Sequence, residues 1–245
     1  MARPLWLGMI IAVAGCVSSL LASAHASPLE NMQIHANRAT SSFLLYRGEG
    51  FQQAHLARME QDIGQLDAAV QSLATARPDL RLKHRELVEL LREGAAFGRE
   101  EDDVPWGWTA KLAKSLRDFL STAREQQGSD RRAELPAKVE YLAVQYLSRA
   151  YIGSFETARE QPDTYLGQDE RKLIPAIDAQ MGQLETAGDP LVAKLKGRWD
   201  FLRSALADMN SGSNGFTSAS GRPFAPIMVD RHTRGLSDQW MATAR

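Results

Sequence analysis

The sequence has 245 residues, 29 Lys+Arg against 30 Asp+Glu for a net charge of −1, 44% hydrophobic residues and a single cysteine. That near-neutral balance lacks the dense cationic footprint needed to neutralise nucleic-acid phosphates, which excludes a nucleic-acid binder. A lone cysteine excludes an internal disulfide framework, and the length is sufficient to bury a sizeable core.

Residues 1–26 read as a signal peptide. Arg3 precedes the apolar run LWLGMIIAVA, and a small-residue exit follows. Gly8, Gly15, Ser18 and Ser19 interrupt the run, which falls short of the roughly 20 apolar residues of a membrane span. Two exits lie close together. Ala24-His25-Ala26 before Ser27 is an A-x-A cleavage site, whereas Val13-Ala14-Gly15-Cys16 is a lipobox-like tetrad whose cysteine would carry a lipid anchor. Cleavage between Ala26 and Ser27 is the expectation, because helical signals begin at Ser27 and residues 17–26 are too apolar for a tether. Removing 1–26 takes Arg3 as its only Lys, Arg, Asp or Glu, so the mature net charge moves from −1 to −2, and it takes the only cysteine.

The mature sequence reads as helix throughout. Ser27-Pro28-Leu29-Glu30 is a capping box with proline at N1, in which Ser27 accepts an N–H and Glu30 reaches back. Leu29, Met32, Ala36, Ala39, Phe43 and Tyr46 then share one face, and Gly48 and Gly50 end the helix. Leu56, Met59, Ile63, Leu66, Val70 and Leu73 alternate at +3 and +4 as an unbroken a/d seam, stopped by Arg77-Pro78-Asp79. Leu80, Leu87 and Leu91 mark a third helix reaching to about Phe97. Trp108, Leu112, Leu116 and Phe119 mark a fourth. The stretch EYLAVQYLSRAYIGSF is apolar on more than one face, which predicts the central helix, bracketed by Pro136 and Gly153. Leu173, Ile177, Met181 and Leu184 form a sixth, with Pro175 either kinking it or setting its first turn. Gly188-Asp189-Pro190 predicts a tight antiparallel hairpin into a seventh, carried by Leu195, Trp199, Leu202, Leu206 and Met209. A last helix from about Pro226 to Met241 puts Val229, His232, Leu236 and Trp240 on one face.

No strand-like alternation competes with these seams. The expectation is an all-α fold: a bundle of seven or eight amphipathic antiparallel helices in one domain over 27–245, with a flexible Gly/Ser-rich loop at 210–222. Ile63–Ala69 (IGQLDAA) resembles Met181–Ala187 (MGQLETA), which raises a duplicated helical hairpin as one account of the pattern.

The familiar chemistries are absent as motifs. There is no C-x-x-C-H for haem, no Glu-x-x-His pair for a di-metal bundle, and no H-E-x-x-H, G-x-S-x-G, P-loop or dinucleotide fingerprint. No catalytic, cofactor or metal residue is assigned. His84 and His232 lie on apolar stripes and read as hydrogen-bonded core residues, while His35 and His55 flank their seams at partly exposed edges. A metal site would need all four to converge.

Two surface features are candidates for ligand or partner binding. Asp102 and Asp103 lie beside Trp106 and Trp108 in REEDDVPWGW, which suits either a cation cage or a protein contact. The plainer reading is a loop pinned by its tryptophans, with its acids at a helix N-terminus. Arg222, Arg231 and Arg234 follow the Gly/Ser-rich loop and together could form a modest anion site. Arg231, Arg234 and Asp238 also share a helical face, which reads more simply as a solvated ion-pair face.

The stretch Trp199-Asp-Phe-Leu-Arg-Ser-Ala-Leu206, with Asn210 and then Pro223-Phe-Ala-Pro-Ile-Met-Val-Asp-Arg231-His-Thr-Arg-Gly-Leu236, resembles the C-terminal pattern of small exported helical proteins of Proteobacteria. The resemblance covers roughly the last 50 residues. It implies an exported bundle from a Gram-negative bacterium and brings no activity with it. The resulting expectation is a non-catalytic periplasmic protein that binds, senses or scaffolds an envelope protein or small ligand. The alternative is an outer-membrane lipoprotein accessory anchored through Cys16, and an unrecognised enzyme is the third reading.

Overall fold

The computed structural model describes residues 27–73, 76–127, 134–153, 164–184, 190–207 and 225–243. Cys16, Ala26, the Gly188-Asp189 turn, Met209, the 210–222 loop and Arg222 lie outside the described residues. Among the described residues eight α-helices follow one another: α1 Pro28–Gly48, α2 Gln53–Ser72, α3 Pro78–Ala96, α4 Trp108–Gln127, α5 Leu135–Ile152, α6 Glu170–Gly182, α7 Pro190–Ala207 and α8 Ala225–Thr243. A single 3₁₀ turn, Glu101–Asp103, precedes α4. The protein is an all-α helical bundle, and no described helix is long and apolar enough to cross a membrane.

The helix ends follow their local chemistry. Ser27 Oγ accepts the Glu30 N–H at 3.0 Å, and Pro28 occupies the first turn where a missing N–H costs nothing. The N-cap half of the expected capping box is present. At the other end of α1, Gly50 takes φ +83° and the Phe51 N–H donates to Tyr46 O at 2.7 Å. The Tyr46 and Phe51 rings meet edge to face at 5.2 Å. This is the six-to-one bond and apolar contact of a Schellman cap. Asp169 caps α6 through the Arg171 N–H, and Pro175 lies inside that helix rather than at its start.

The apolar seams pack as their spacing requires. Met59, Ile63 and Leu66 of α2, Leu80, Leu87 and Leu91 of α3, and Leu112, Leu116 and Phe119 of α4 are buried in one continuous core. That core also takes in Leu173, Ile177 and Met181 of α6, Leu195, Trp199, Leu202 and Leu206 of α7, and Val229 and Leu236 of α8. The α6–α7 pair runs antiparallel. Lys196 Nζ donates to Leu184 O at 2.9 Å, while Trp199 Nε1 donates to Asp178 Oδ1 at 2.7 Å. The two stretches of the candidate repeat occupy different positions, since Gly64 is mid-helix in α2 and Gly182 is the last residue of α6.

Two corrections concern which faces are inside. The most enclosed helix is α1, which packs against α2, α3, α4, α5 and α8. Beyond its apolar stripe it also buries Gln33, Asn37, Arg38, Thr40, Ser41 and Ser42. Hydrophobic periodicity singles out α5, which is indeed heavily buried, but it passes over a face buried through polar contacts. The second correction concerns α8. Arg231 and Asp238 are at the surface, but Arg234 turns inward, so the face is not a solvated ion-pair face.

Arg234 ties α8 to α1 and α2. Its Nη1 and Nη2 donate to both carboxylate oxygens of Asp62 on α2 at 2.9 and 2.8 Å, and its Nε donates to Asp230 at 2.9 Å. Nη2 also reaches Ser42 Oγ at 2.8 Å and the Arg38 carbonyl at 2.9 Å on α1. Arg38 returns the contact by donating to the Arg234 carbonyl at 3.2 Å. Its Nε meets Glu140 of α5 at 2.7 Å, and the Nη2 that reaches the carbonyl also meets Asp238 at 2.8 Å. Arg58 completes the cluster at 3.0 Å from Asp230. Burial opposes the charge on Arg234, but the hydrogen bonds and charges of Asp62 and Asp230 win and hold its proton more tightly. Burial also pushes the Glu140 carboxyl up against the pull of Arg38.

Buried ion pairs of this kind give little net stability, because desolvation offsets the attraction, yet removing one partner leaves a charge buried and unpaired. Arg234→Ala is therefore expected to lower the unfolding free energy by about 3–5 kcal/mol. Exposed Arg231→Ala should stay within about 0.5 kcal/mol of the parent in urea denaturation at pH 7. Equal, small losses in both variants would return Arg234 to the surface.

Two half-buried groups act in opposite directions with pH. Burial, helped by Glu134, raises the Glu30 carboxyl from 4.5 to about 7. Burial, helped by Arg38, lowers His35 from 6.5 to about 4. The stability tied to Glu30 is full below pH 4.5 and is lost as pH rises to about 7. That tied to His35 is full above pH 6.5 and is lost as pH falls to about 4. Each is worth at most about 3 kcal/mol, so they largely cancel in the parent chain. Urea midpoints should show Glu30→Gln gaining on the parent at pH 8 and His35→Gln gaining at pH 4.5, each with no gain at the other pH.

Candidate functional site

The Schellman cap of α1 begins the site. It drives Phe51 into φ +62°, a left-handed conformation that a bulky residue adopts only when its surroundings hold it there. Here two guanidinium groups lie over its ring, Arg47 at 5.0 Å and Arg99 at 5.3 Å from the centroid. Arg47 donates to the carbonyls of Gly94, Phe97 and Gly98 at 2.9, 3.3 and 3.1 Å, so the last turn of α1 caps the C-terminus of α3. Burial lowers its pKa, though its charge is retained. Arg99 is exposed and makes no ion pair or hydrogen bond among the described residues.

Between α3 and α4, the Glu100 and Asp103 side chains form a reciprocal capping box on the 3₁₀ turn, with the Glu100 N–H on Asp103 Oδ2 at 2.9 Å. Gly98 leaves room for that carboxylate, since a Cβ there would sit 2.0 Å from it. Trp108 starts α4 and is only 3% exposed. Its ring packs on Phe43 at 5.4 Å and Phe97 at 5.2 Å, and its indole N–H donates to Glu93 at 3.2 Å. Tyr151, near the end of α5, lies on bare Gly48 and donates its hydroxyl to the Glu49 carboxylate.

These elements enclose an open cleft of about 630 Å³, lined among others by Arg47, Phe51, Arg99, Trp106, Trp108 and Tyr151. Leu44, Thr109 and Ile152 also line a second, smaller pocket of about 80 Å³ between α1, α4 and α5, whose other walls include Ala110, Ala113, Leu116 and Val144. Trp106 is 100% exposed at the cleft, and its indole has no partner among the described residues.

The structure thus separates the residues the sequence grouped. Trp106 and Trp108 share the cleft, but only Trp106 is free. Asp103 is engaged as a cap and Asp102 is exposed. With Trp108 buried and two arginines in the cleft, a cation cage of paired tryptophans and acids does not assemble. Arg231 is exposed and Arg234 is locked in the core, so these two do not gather into an anion site. Ser27 serves as a helix cap. His35, His55, His84 and His232 do not come together: His84 lies 2.8 Å from Asp67, His232 stacks on Phe201 at 4.2 Å, His55 lies 3.3 Å from Arg58, and His35 borders the Arg38–Arg234 cluster. Among the described residues no group of three or more His, Cys, Asp or Glu is placed to hold a metal ion.

Arg47, Arg99, Phe51 and Tyr151 escape sequence reasoning. The Gly50-Phe51 pair after a helix ending in Tyr46 carries a legible cap signal, but nothing local says that arginines from two segments converge on Phe51. In comparisons with known proteins, no family model matches the sequence, and no curated protein or solved structure matches it significantly.

The seating of Trp108 rests on Gly94, where a Cβ would fall 2.3 Å from the indole ring and 2.9 Å from Phe43. Gly94→Ala is expected to destabilise by about 1–3 kcal/mol despite alanine's better helix propensity. Gly64→Ala, in α2 with open space around it, should stabilise by up to about 1 kcal/mol. Thermal unfolding of the two variants checks the contrast, and a gain at Gly94 would contradict the packing.

Proposed function

We propose that the protein is an exported, non-catalytic binding component of a bacterial cell envelope, and that it takes its ligand or partner in the cleft at the α1–α4 end of the bundle. The single observation that carries this reading is Trp106, a fully exposed indole at the mouth of a 630 Å³ cleft. An exposed tryptophan is costly to leave in water and is the residue type most enriched as a binding anchor. Arg99 supports it as a cation held in place by a ring, with its donors unused. Binding is favoured over catalysis because Glu30, the carboxyl raised to about 7, lines neither the cleft nor the smaller pocket.

Export rests on the sequence of residues 1–26, with release at Ser27 as the favoured outcome and periplasmic location as its consequence. A second reading, an outer-membrane lipoprotein accessory, is favoured by one feature: the only cysteine stands in the Val13-Ala14-Gly15-Cys16 tetrad.

Intact mass and N-terminal sequencing of the native protein are expected to show a free Ser27, while an acylated Cys16 would establish the second reading. Immobilised processed protein should retain envelope material that Trp106→Ala and Arg99→Ala variants, folded as judged by circular dichroism, lose. Retention at the parental level by both variants removes the cleft as the site.

A further inference from the structure

Resting on that cleft as the binding site, we infer that its ligand is a glycan bearing N-acetyl groups. Three properties of the cleft narrow the chemistry. The first is charge. Arg47 and Arg99 line it together with Glu100 and Glu101, and Arg47 is already committed to three carbonyls. The balance of charge suits neither a polyanion nor a cation, and it favours an uncharged polar ligand.

The second property is the kind of side chain presented. Trp106 offers a broad aromatic face, and Tyr151 adds a further ring. Arg99 and Glu101 line the same cleft, and their planar polar groups can donate to or accept from several neighbouring hydroxyls. A sugar ring has that same division, with C–H groups on its face to pack on an aromatic ring and hydroxyls around its edge.

The third property is the smaller pocket. It shares Leu44, Thr109 and Ile152 with the cleft, and its 80 Å³ is walled by Ala110, Ala113, Leu116 and Val144 together with the hydroxyl-bearing Thr40 and Ser148. That is about half the volume of a cavity that admits benzene, so it suits a short branch carrying both apolar and polar atoms, such as an acetamido group. The Thr109 hydroxyl, without a partner among the described residues, stands where the two spaces meet and can bond the acetamide. A sugar carrying an acetamido branch therefore uses both spaces at once, whereas a plain glucan leaves the inner one empty.

The test is calorimetric titration of the processed protein with tri-N-acetylchitotriose and with cellotriose, which has the same β-linked backbone without acetamido groups. The acetylated trisaccharide is expected to bind at least about tenfold more tightly, a difference of about 1.4 kcal/mol. Trp106→Ala should weaken it about tenfold without changing the urea midpoint, since this side chain buries nothing in the fold. Ala113→Leu fills the smaller pocket and should bring the two ligands to equal affinity, with circular dichroism as the check that this variant remains folded. Equal affinity of the parent for the two sugars, or no binding of either at about 10 mM, overturns the inference. If neither binds while envelope material is still retained by the parent and lost from Trp106→Ala, the glycan is wrong and the cleft stands. If Trp106→Ala and Arg99→Ala both retain that material at the parental level, both readings fall.

Discussion

Arg38 and Arg234 each donate to the other's backbone carbonyl while their remaining nitrogens reach carboxylates on α2, α5 and α8. The arrangement of the bundle depends on this exchange. An apolar seam tolerates sliding by a residue or a turn, because one leucine replaces another at similar cost. A guanidinium bonded bidentately to Asp62 and also to Asp230 has one acceptable position, so it sets the register of α8 against α1 and α2. The gain is chiefly in specificity. Apolar burial elsewhere in the continuous core supplies the stability, and the ion cluster selects one arrangement among those the apolar faces would allow.

The same device, an arginine reaching across to another element's backbone, builds the cleft. Arg47 extends from the end of α1 to the terminal carbonyls of α3, which settles where the following loop must travel. Bare Gly48, Gly94 and Gly98 then admit Tyr151, Trp108 and Asp103 at distances that a β-carbon would forbid. The loop is consequently pinned by Trp108 and by its own capping box, and the pinning leaves Trp106 pointing away from the core.

Much of the fold was legible because helices announce themselves locally. The a/d seam from Leu56 to Leu73, the Ser27-Pro28 start and the Gly153 stop each follow from backbone requirements that neighbouring residues meet. The buried polar residues were illegible for an equally physical reason. Arg234 shares a helical face with Arg231 and Asp238, and by sequence alone it reads as solvated. Its partners Asp62 and Ser42 lie 172 and 192 positions away. The candidate site was half legible: the tryptophan loop stood out, but Phe51, Arg47 and Arg99 meet only through folding.

The sequence by itself determined the helical class, the starts and stops of most helices, the apolar faces and the absence of familiar catalytic motifs, since these depend on residues within a few turns of one another. Tertiary structure alone decided which polar faces go inside, that α1 rather than only α5 lies at the centre, and which tryptophan remains free. Those outcomes depend on whether a buried charge finds a partner. That is settled by long-range geometry, and no local pattern encodes it.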